Sequence, residues 1–217
     1  MPEIPVGESI YGRNDAVAEE NRRRFREAGV LAINLLSSPG SGKTSLLERT
    51  VPRLAGKVRM YGVEGDVETE NDADRLRKVG LEAVQIQTHG GCHLDAAMVR
   101  DALAGVDLAK IDLLFIENVG NLVCPTNFDL GEGCRVVVAS TVEGDDKPVK
   151  YPEAYLRADA CVLNKIDLVD YVDFDIDAFE SAARRANDKL QFFRTSCRTG
   201  EGIETWCAWL EEILEGA

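Results

Sequence analysis

The chain has 217 residues, with 38 acidic against 25 basic side chains and a formal net charge of −13. That length fits one domain with a buried core, and the charge excludes nucleic acid and anionic membrane surfaces as partners while favouring cations and basic proteins. No apolar run approaches the roughly 18 residues of a membrane span, and residues 1–21 lack a signal-peptide core, so the reading is a folded, cytoplasmic protein with no membrane or nucleic-acid partner. Six cysteines (Cys92, Cys124, Cys134, Cys161, Cys197, Cys207) are scattered over more than half the chain, which does not suggest a disulfide framework.

Residues 14–28 are polar and rich in arginine, which predicts a solvated helix laid against the rest. Residues 1–29 then form an extension, and 30–217 the main domain. After Gly29, residues 30–36 are almost continuously apolar, the pattern of a central parallel strand covered on both faces. The pattern recurs at 58–63, 83–86, 111–116, 135–139, 160–163 and 192–195, and helical patterns are found at 43–54, 72–79, 94–103, 151–158, 177–189 and 202–214. This alternation predicts an α/β fold: a mostly parallel central sheet of about seven strands flanked by helices, with ligands at the carboxyl ends of the strands.

Ser37-Ser38-Pro39-Gly40-Ser41-Gly42-Lys43-Thr44 follows the first strand and opens a helix, the context of a phosphate-binding P-loop. Gly40, Ser41 and Gly42 turn backbone N–H groups toward phosphate, Lys43 reaches the β and γ phosphates, the Thr44 hydroxyl ligates Mg²⁺, and Ser45 completes the cradle. Ser37 stands where the general pattern has its first glycine. Glu64-Gly65-Asp66 ends the second strand, and Asp66 is expected to serve the Mg²⁺ shell or to orient the attacking water.

Cys92 and His93 are adjacent in the next connection, and Cys124 precedes Pro125 further on. Thiolate and imidazole suit Zn²⁺ or Ni²⁺. His89 would be a reserve ligand, but the spacing has no CxxC pair, and the pattern alone fits better two small buried cysteines and a histidine capping a helix. Glu117-Asn118-Val119-Gly120-Asn121 ends the strand at 111–116, in the position of the acid and γ-phosphate sensor of a nucleotide hydrolase. Glu117 is expected to act with Lys43 and Asp66 in catalysis and with Thr44 and Asp66 on Mg²⁺, while Gly120 approaches the phosphate. No glutamine follows Gly120, so unassisted hydrolysis is expected to be slow. Asn164-Lys165-Ile166-Asp167 ends another strand, where the Asp167 carboxylate accepts the ring N–H and exocyclic amine of guanine; adenine offers no such pair. Ser196 and Cys197, after the last strand, complete a guanine pocket, so the ligand is expected to be GTP or GDP.

These motifs together, with Gly91-Cys92-His93-Leu94-Asp95, Leu122-Val123-Cys124-Pro125, Phe128-Asp129-Leu130-Gly131 and Glu143-Gly144-Asp145-Asp146-Lys147-Pro148, closely resemble the HypB family of hydrogenase nickel-incorporation GTPases, from about residue 14 onward. The resemblance implies a P-loop NTPase of the SIMIBI-type G-domain class. It further implies a GTP-dependent homodimer that works with a HypA-type metallochaperone and delivers Ni²⁺ to the [NiFe]-hydrogenase large subunit precursor. It also assigns Cys92, His93 and Cys124 as the metal ligands of the G domain. Some family members begin with a CxxCxxC site or a histidine-rich tract, and residues 1–30 contain neither Cys nor His, so nickel storage there is not expected. Two alternatives are a nucleotide-gated scaffold without its own metal and a related urease- or cobalamin-type accessory GTPase.

Overall fold

The computed structural model describes residues 10–66 and 71–216. Seven strands form one sheet: β1 (Leu31–Ser37), β2 (Met60–Asp66), β3 (Glu82–Gln87), β4 (Leu113–Glu117), β5 (Cys134–Ser140), β6 (Ala160–Asn164) and β7 (Gln191–Arg194). They lie in the order β3-β2-β4-β1-β5-β6-β7, and every neighbouring pair is parallel. The helices are α1 (Ile10–Ala28), α2 (Lys43–Leu54), α3 (Asn71–Lys78), α4 (Ala96–Ala102), α5 (Lys147–Lys150), α6 (Pro152–Leu156), α7 (Ile176–Ala186) and α8 (Ile203–Glu215).

Both faces of the central strands are covered, and the period-2 alternation sorts their side chains between two layers. Ile33 and Leu35 of β1 join Leu113 and Phe115 of β4 in one core layer, packed against Leu46 and Leu47 of α2 and Trp206 of α8. Their alternates face the opposite layer, where Ala32, Leu114 and Ile116 meet Phe25 of α1 and Val99 of α4, and Leu36 and Val137 meet Tyr155 and Phe179. Chain order reverses at β1, with β4 on one side and β5 on the other, so the carboxyl end of β1 opens onto the crevice where α/β sheets take ligands.

Helix α1 departs from the expected solvated helix. One face is buried, formed by Asn14, Ala18, Asn21 and Phe25. Two of those positions are asparagines that a hydrophobicity pattern reads as surface, yet their amides bond to backbone groups of the layer below. Asn21 Nδ2 donates to Ala96 O (2.9 Å) and Leu130 O (3.0 Å), while Asn14 Nδ2 donates to Asp129 O (2.8 Å) and its Oδ1 accepts from Ala96 N (2.9 Å). Helix α4 starts two residues later than expected because Asp95 is its N-cap, accepting from Met98 N at 2.8 Å. Short elements with too few residues to show a period also escape the sequence pattern: α5 and the 3₁₀ turns at Leu108–Lys110, Pro125–Asn127 and Ile166–Tyr171. Among the described residues, no helix is long and apolar enough to cross a membrane.

Candidate nucleotide site and adjoining metal centre

β1 ends at Ser37 and the chain turns sharply before α2. Gly40 and Gly42 have φ of +74° and +100°, values in the left-handed region that favours glycine. A Cβ at Gly42 would also lie 2.5 Å from Asn164 Nδ2, so the loop closes directly on the end of β6. The N-terminus of α2 carries no side-chain cap, which leaves its first N–H groups facing the crevice, the arrangement that binds phosphate. Lys43 Nζ folds back onto Ser37 Oγ (2.7 Å) and lies 3.8 Å from Glu117 Oε1, and the Thr44 hydroxyl donates to the same Glu117 oxygen at 2.9 Å. Lys43, Thr44 and Glu117 therefore converge as expected. The Asp66 side chain, assigned to the same cluster from sequence, lies outside the described residues.

Sequence reasoning missed Glu64. It is buried opposite Glu117 in the β2–β4 register, and a carboxyl inside an otherwise apolar strand end was itself a signal, because such a group survives only with partners or a cation. Burial raises the pKa of Glu64 well above the carboxylate range, with the Glu117 charge adding to it. Burial likewise raises Glu117, against the opposing pull of Lys43 and Thr44. The two carboxyls thus titrate as a coupled buried pair, both raised by burial. Glu64 Oε1 and Glu117 Oε2 are both buried without a hydrogen-bond partner. Two orphaned carboxyl oxygens beside a threonine hydroxyl form an all-oxygen donor set that fits a hard dication such as Mg²⁺.

Gly120 packs on the P-loop: a Cβ there would lie 2.9 Å from Pro39 Cα, and Ser37 and Asn121 form an isolated bridge. On the other side of the loop, a cleft of about 620 Å³ is lined by Gly42, Ser45, Asn164, Lys165, Asp167 and Cys197. Asn164 braces it. Its Nδ2 donates to Ser41 O (3.0 Å) and its Oδ1 accepts from Cys197 N (3.2 Å). Lys165, at φ +61°, lays its side chain across the P-loop to donate to Gly40 O (2.7 Å). Asp167 accepts from Ser196 Oγ at 2.6 Å, which aims its carboxylate into the cleft. Burial pushes the Cys197 thiol up to about 11, so it stays neutral there. Ser41 also donates to Glu143 of the loop after β5, a contact for which sequence had suggested no role. A larger cavity of about 930 Å³, lined by Arg22, Phe25, Asp112, Gly131 and Glu211 among others, contains none of the P-loop, cleft or Cys–His–Cys residues.

Beyond Gly120 the same segment reaches Cys124. One ligand atom from each of Cys92, His93 and Cys124 lies within 4.8 Å of the others, and His89 does not join them. Cys92 is exposed rather than buried, and Asp95 rather than His93 caps the helix. The imidazole of His93 stacks on Phe128 with ring centroids 3.9 Å apart, and its Nδ1 is 3.6 Å from Cys92 Sγ. Burial lowers the His93 pKa, so the ring is neutral and able to ligate near pH 7, while the hydrogen bond with Cys124 raises that of Cys92. A soft two-sulfur, one-nitrogen set suits Ni²⁺ or Zn²⁺ and leaves a coordination position open. Cys134, Cys161 and Cys207 are buried away from this group.

The family model for the CobW/HypB/UreG nucleotide-binding domain matches residues 31–194. The hydrogenase maturation factor HypB of Azotobacter vinelandii is 51% identical over 208 residues, covering 96% of this chain and 69% of that protein. Among solved structures, HypB from Archaeoglobus fulgidus superposes with a TM-score of 0.87 at 42% identity, over 93% of this chain and 98% of that one. HypB from Helicobacter pylori in complex with nickel superposes with a TM-score of 0.89 at 38% identity, over 94% and 96%. With a P-loop, a cleft beside it and a Cys–His–Cys cluster together with these relatives, the chain belongs to the HypB family of hydrogenase maturation factors.

Proposed function

We propose that the protein is a GTP-hydrolysing switch that holds nickel at Cys92, His93 and Cys124 and passes it on toward the [NiFe]-hydrogenase large subunit as its nucleotide state changes. The observation that carries this reading is the single segment from Glu117 to Cys124. Its first residue touches Lys43 and Thr44, its glycine packs on Pro39, and its last residue stands within the metal-ligand cluster. A shift driven by the γ phosphate at Gly120 therefore displaces a ligand four residues away.

In this reading Asp167, held by Ser196, selects guanine, and Asn164 and Lys165 fix the cleft against the P-loop. Lys43 leaves Ser37 and Glu117 to meet the β and γ phosphates. Thr44, Glu117 and Glu64 are the groups that would hold Mg²⁺, which would offset the negative charge of the phosphates. The reaction is GTP and water to GDP and phosphate, with positioning and charge neutralisation supplying the rate enhancement. Each protomer offers three metal ligands. Two protomers meeting across a twofold axis would complete the coordination by sharing thiolates, which makes a GTP-dependent homodimer the working unit. A HypA-type metallochaperone is the proposed partner that exchanges nickel with this site.

The test replaces Cys124 by Ser and follows hydrogenase maturation, nickel binding and pull-down of partner proteins. Lost nickel binding and lost maturation with partner binding intact support a metal carrier. Unimpaired maturation without bound nickel would replace this reading with that of a nucleotide-gated scaffold.

A further inference from the structure

Cys124 supplies one ligand from the Glu117–Cys124 segment, but Cys92 and His93 come from a separate loop after β3. A shift of the segment alone would pull one thiolate away from two stationary ligands. The contacts between segment and loop are different. Asn118, the residue after Glu117, is 1% exposed, and its Oδ1 accepts from the backbone N–H of Leu94 at 3.0 Å and of Val119 at 3.0 Å. Leu94 directly follows His93. Asn121 Nδ2 donates to the carbonyl of Cys92 at 3.3 Å. The loop bearing two ligands is thus bonded on both sides of His93 to the segment bearing the third.

The buried tie extends further. Asn118 Nδ2 donates to Asn34 Oδ1 of β1 (3.3 Å), and Asn34 Nδ2 donates to Glu132 Oε1 (3.1 Å), whose other oxygen accepts from Leu130 N (2.7 Å). That places the end of the chain on the stretch after Phe128, the ring on which His93 stacks. Asn118 therefore fixes the backbone beside the imidazole directly and, through Asn34 and Glu132, the platform beneath it. All four hydrogen-bonding capacities of such a carboxamide do not need filling, but here three are used, and each joins a different chain segment or its own turn.

We propose that Asn118 is the positioning residue through which nucleotide state acts on the nickel ligands, moving the Cys92–His93 loop together with Cys124 as one unit. Its neighbour Glu117 senses the phosphate side, and its side chain hands that displacement to Leu94. This rests on the functional reading above, and the experiment separates the two. Ni²⁺ affinity is measured in the full-length protein with GDP and with a non-hydrolysable GTP analogue, for the wild type and for Asn118→Ala. In the wild type the two affinities differ by a factor in the range typical of coupled sites, about 5–150-fold. Asn118→Ala keeps GDP binding and the thiolate-to-nickel charge-transfer band, while the ratio collapses to within about twofold. A ratio in the variant equal to the wild type's overturns the role of Asn118 and leaves the functional reading intact. A wild-type ratio of one overturns the coupling itself.

Because alanine leaves Leu94 N–H and Asn34 Oδ1 without their partner, a second measurement uses the unaltered protein: hydrogen exchange at the Leu94 amide in both nucleotide states. The tie moves as one unit, so the amide stays bonded to Asn118 and should be protected to a similar degree in both states. A several-fold loss of protection in one nucleotide state would show that the tie opens instead of carrying the loop and would refute the proposal without any variant.

Discussion

Replacing Asp167 by Asn tests the guanine assignment with a magnitude that follows from its surroundings. The carboxylate is 13% exposed, one oxygen accepts from Ser196 Oγ at 2.6 Å, and the other lies 3.9 Å from Arg198, beyond hydrogen-bond distance. That oxygen is free to accept from guanine. The amide presents an N–H₂ where guanine offers its own N–H, so one bond to a charged acceptor is lost and two donors face each other. Such a bond is worth about 1.5–3 kcal/mol, which at about 1.36 kcal/mol per decade is roughly a 10–150-fold loss of GTP affinity. Xanthine carries a carbonyl where guanine carries the amine, so it should gain in the same variant. Competition binding of GTP and xanthosine triphosphate reads both effects. A variant that still prefers GTP by the wild-type margin would refute the placement of guanine against Asp167.

Lys43→Ala should abolish measurable phosphate release, because the ammonium is bonded to Ser37 and lies near Glu117 at the α2 N-terminus; turnover at the wild-type rate would reject the P-loop reading. Gly42→Ala combines a φ of +100° with a Cβ 2.5 Å from Asn164 Nδ2, so a penalty on the order of 1–3 kcal/mol is expected, read as a lower melting temperature together with weaker nucleotide binding. Glu64→Gln should raise the Mg²⁺ concentration needed for half-maximal hydrolysis by roughly tenfold while the fold persists, since a carboxyl and a carboxamide are near-isosteric and the amide is the weaker cation ligand; an unchanged Mg²⁺ requirement counts against Glu64 as part of the cation site. The hydrogen bond from Arg59 holds the Asp112 carboxyl below its ordinary range. A depressed carboxyl stabilises the fold above its unfolded pKa, near 4, and the contribution disappears as pH falls through the folded value. Asp112→Asn should therefore be less stable than the wild type at pH 7 and converge with it in strong acid, as followed by thermal melts.

The core of the fold was legible because its strands are apolar on both faces and its helices carry glycine and proline punctuation. Residues 30–36 announced β1, and the loop before Lys43 announced the crevice at the switch point. Lys43, Thr44 and Glu117 could be brought together from their positions at strand ends alone, and so could Asn164, Asp167 and Ser196. The metal ligands were different. Nothing in their spacing joins Cys92 and His93 to Cys124, because the link is the bonding of the loop after β3 to the segment after β4 and the stacking of His93 on Phe128. Spacing left Cys92, His93 and Cys124 as one of two readings, and family resemblance assigned them as ligands. Polar groups that work while buried were the least visible. Glu64, Asn118, Asn34, Asn14 and Asn21 look like surface residues to any hydrophobicity pattern, and each has a partner between 24 and 115 positions away in sequence. Such pairings exist only once the sheet order has placed their strands side by side.

The central claim is that hydrolysis and nickel handling are one cycle, and a single-turnover experiment addresses it most directly. Protein loaded with one equivalent of Ni²⁺ and with GTP is mixed with a chromophoric chelator and Mg²⁺, and phosphate release and nickel transfer are recorded together. The account predicts that nickel reaches the chelator at a rate set by phosphate release, and that a non-hydrolysable GTP analogue changes that rate by the coupling factor between the two nucleotide states. Nickel transfer at the same rate with GTP, with the analogue and with GDP would contradict it.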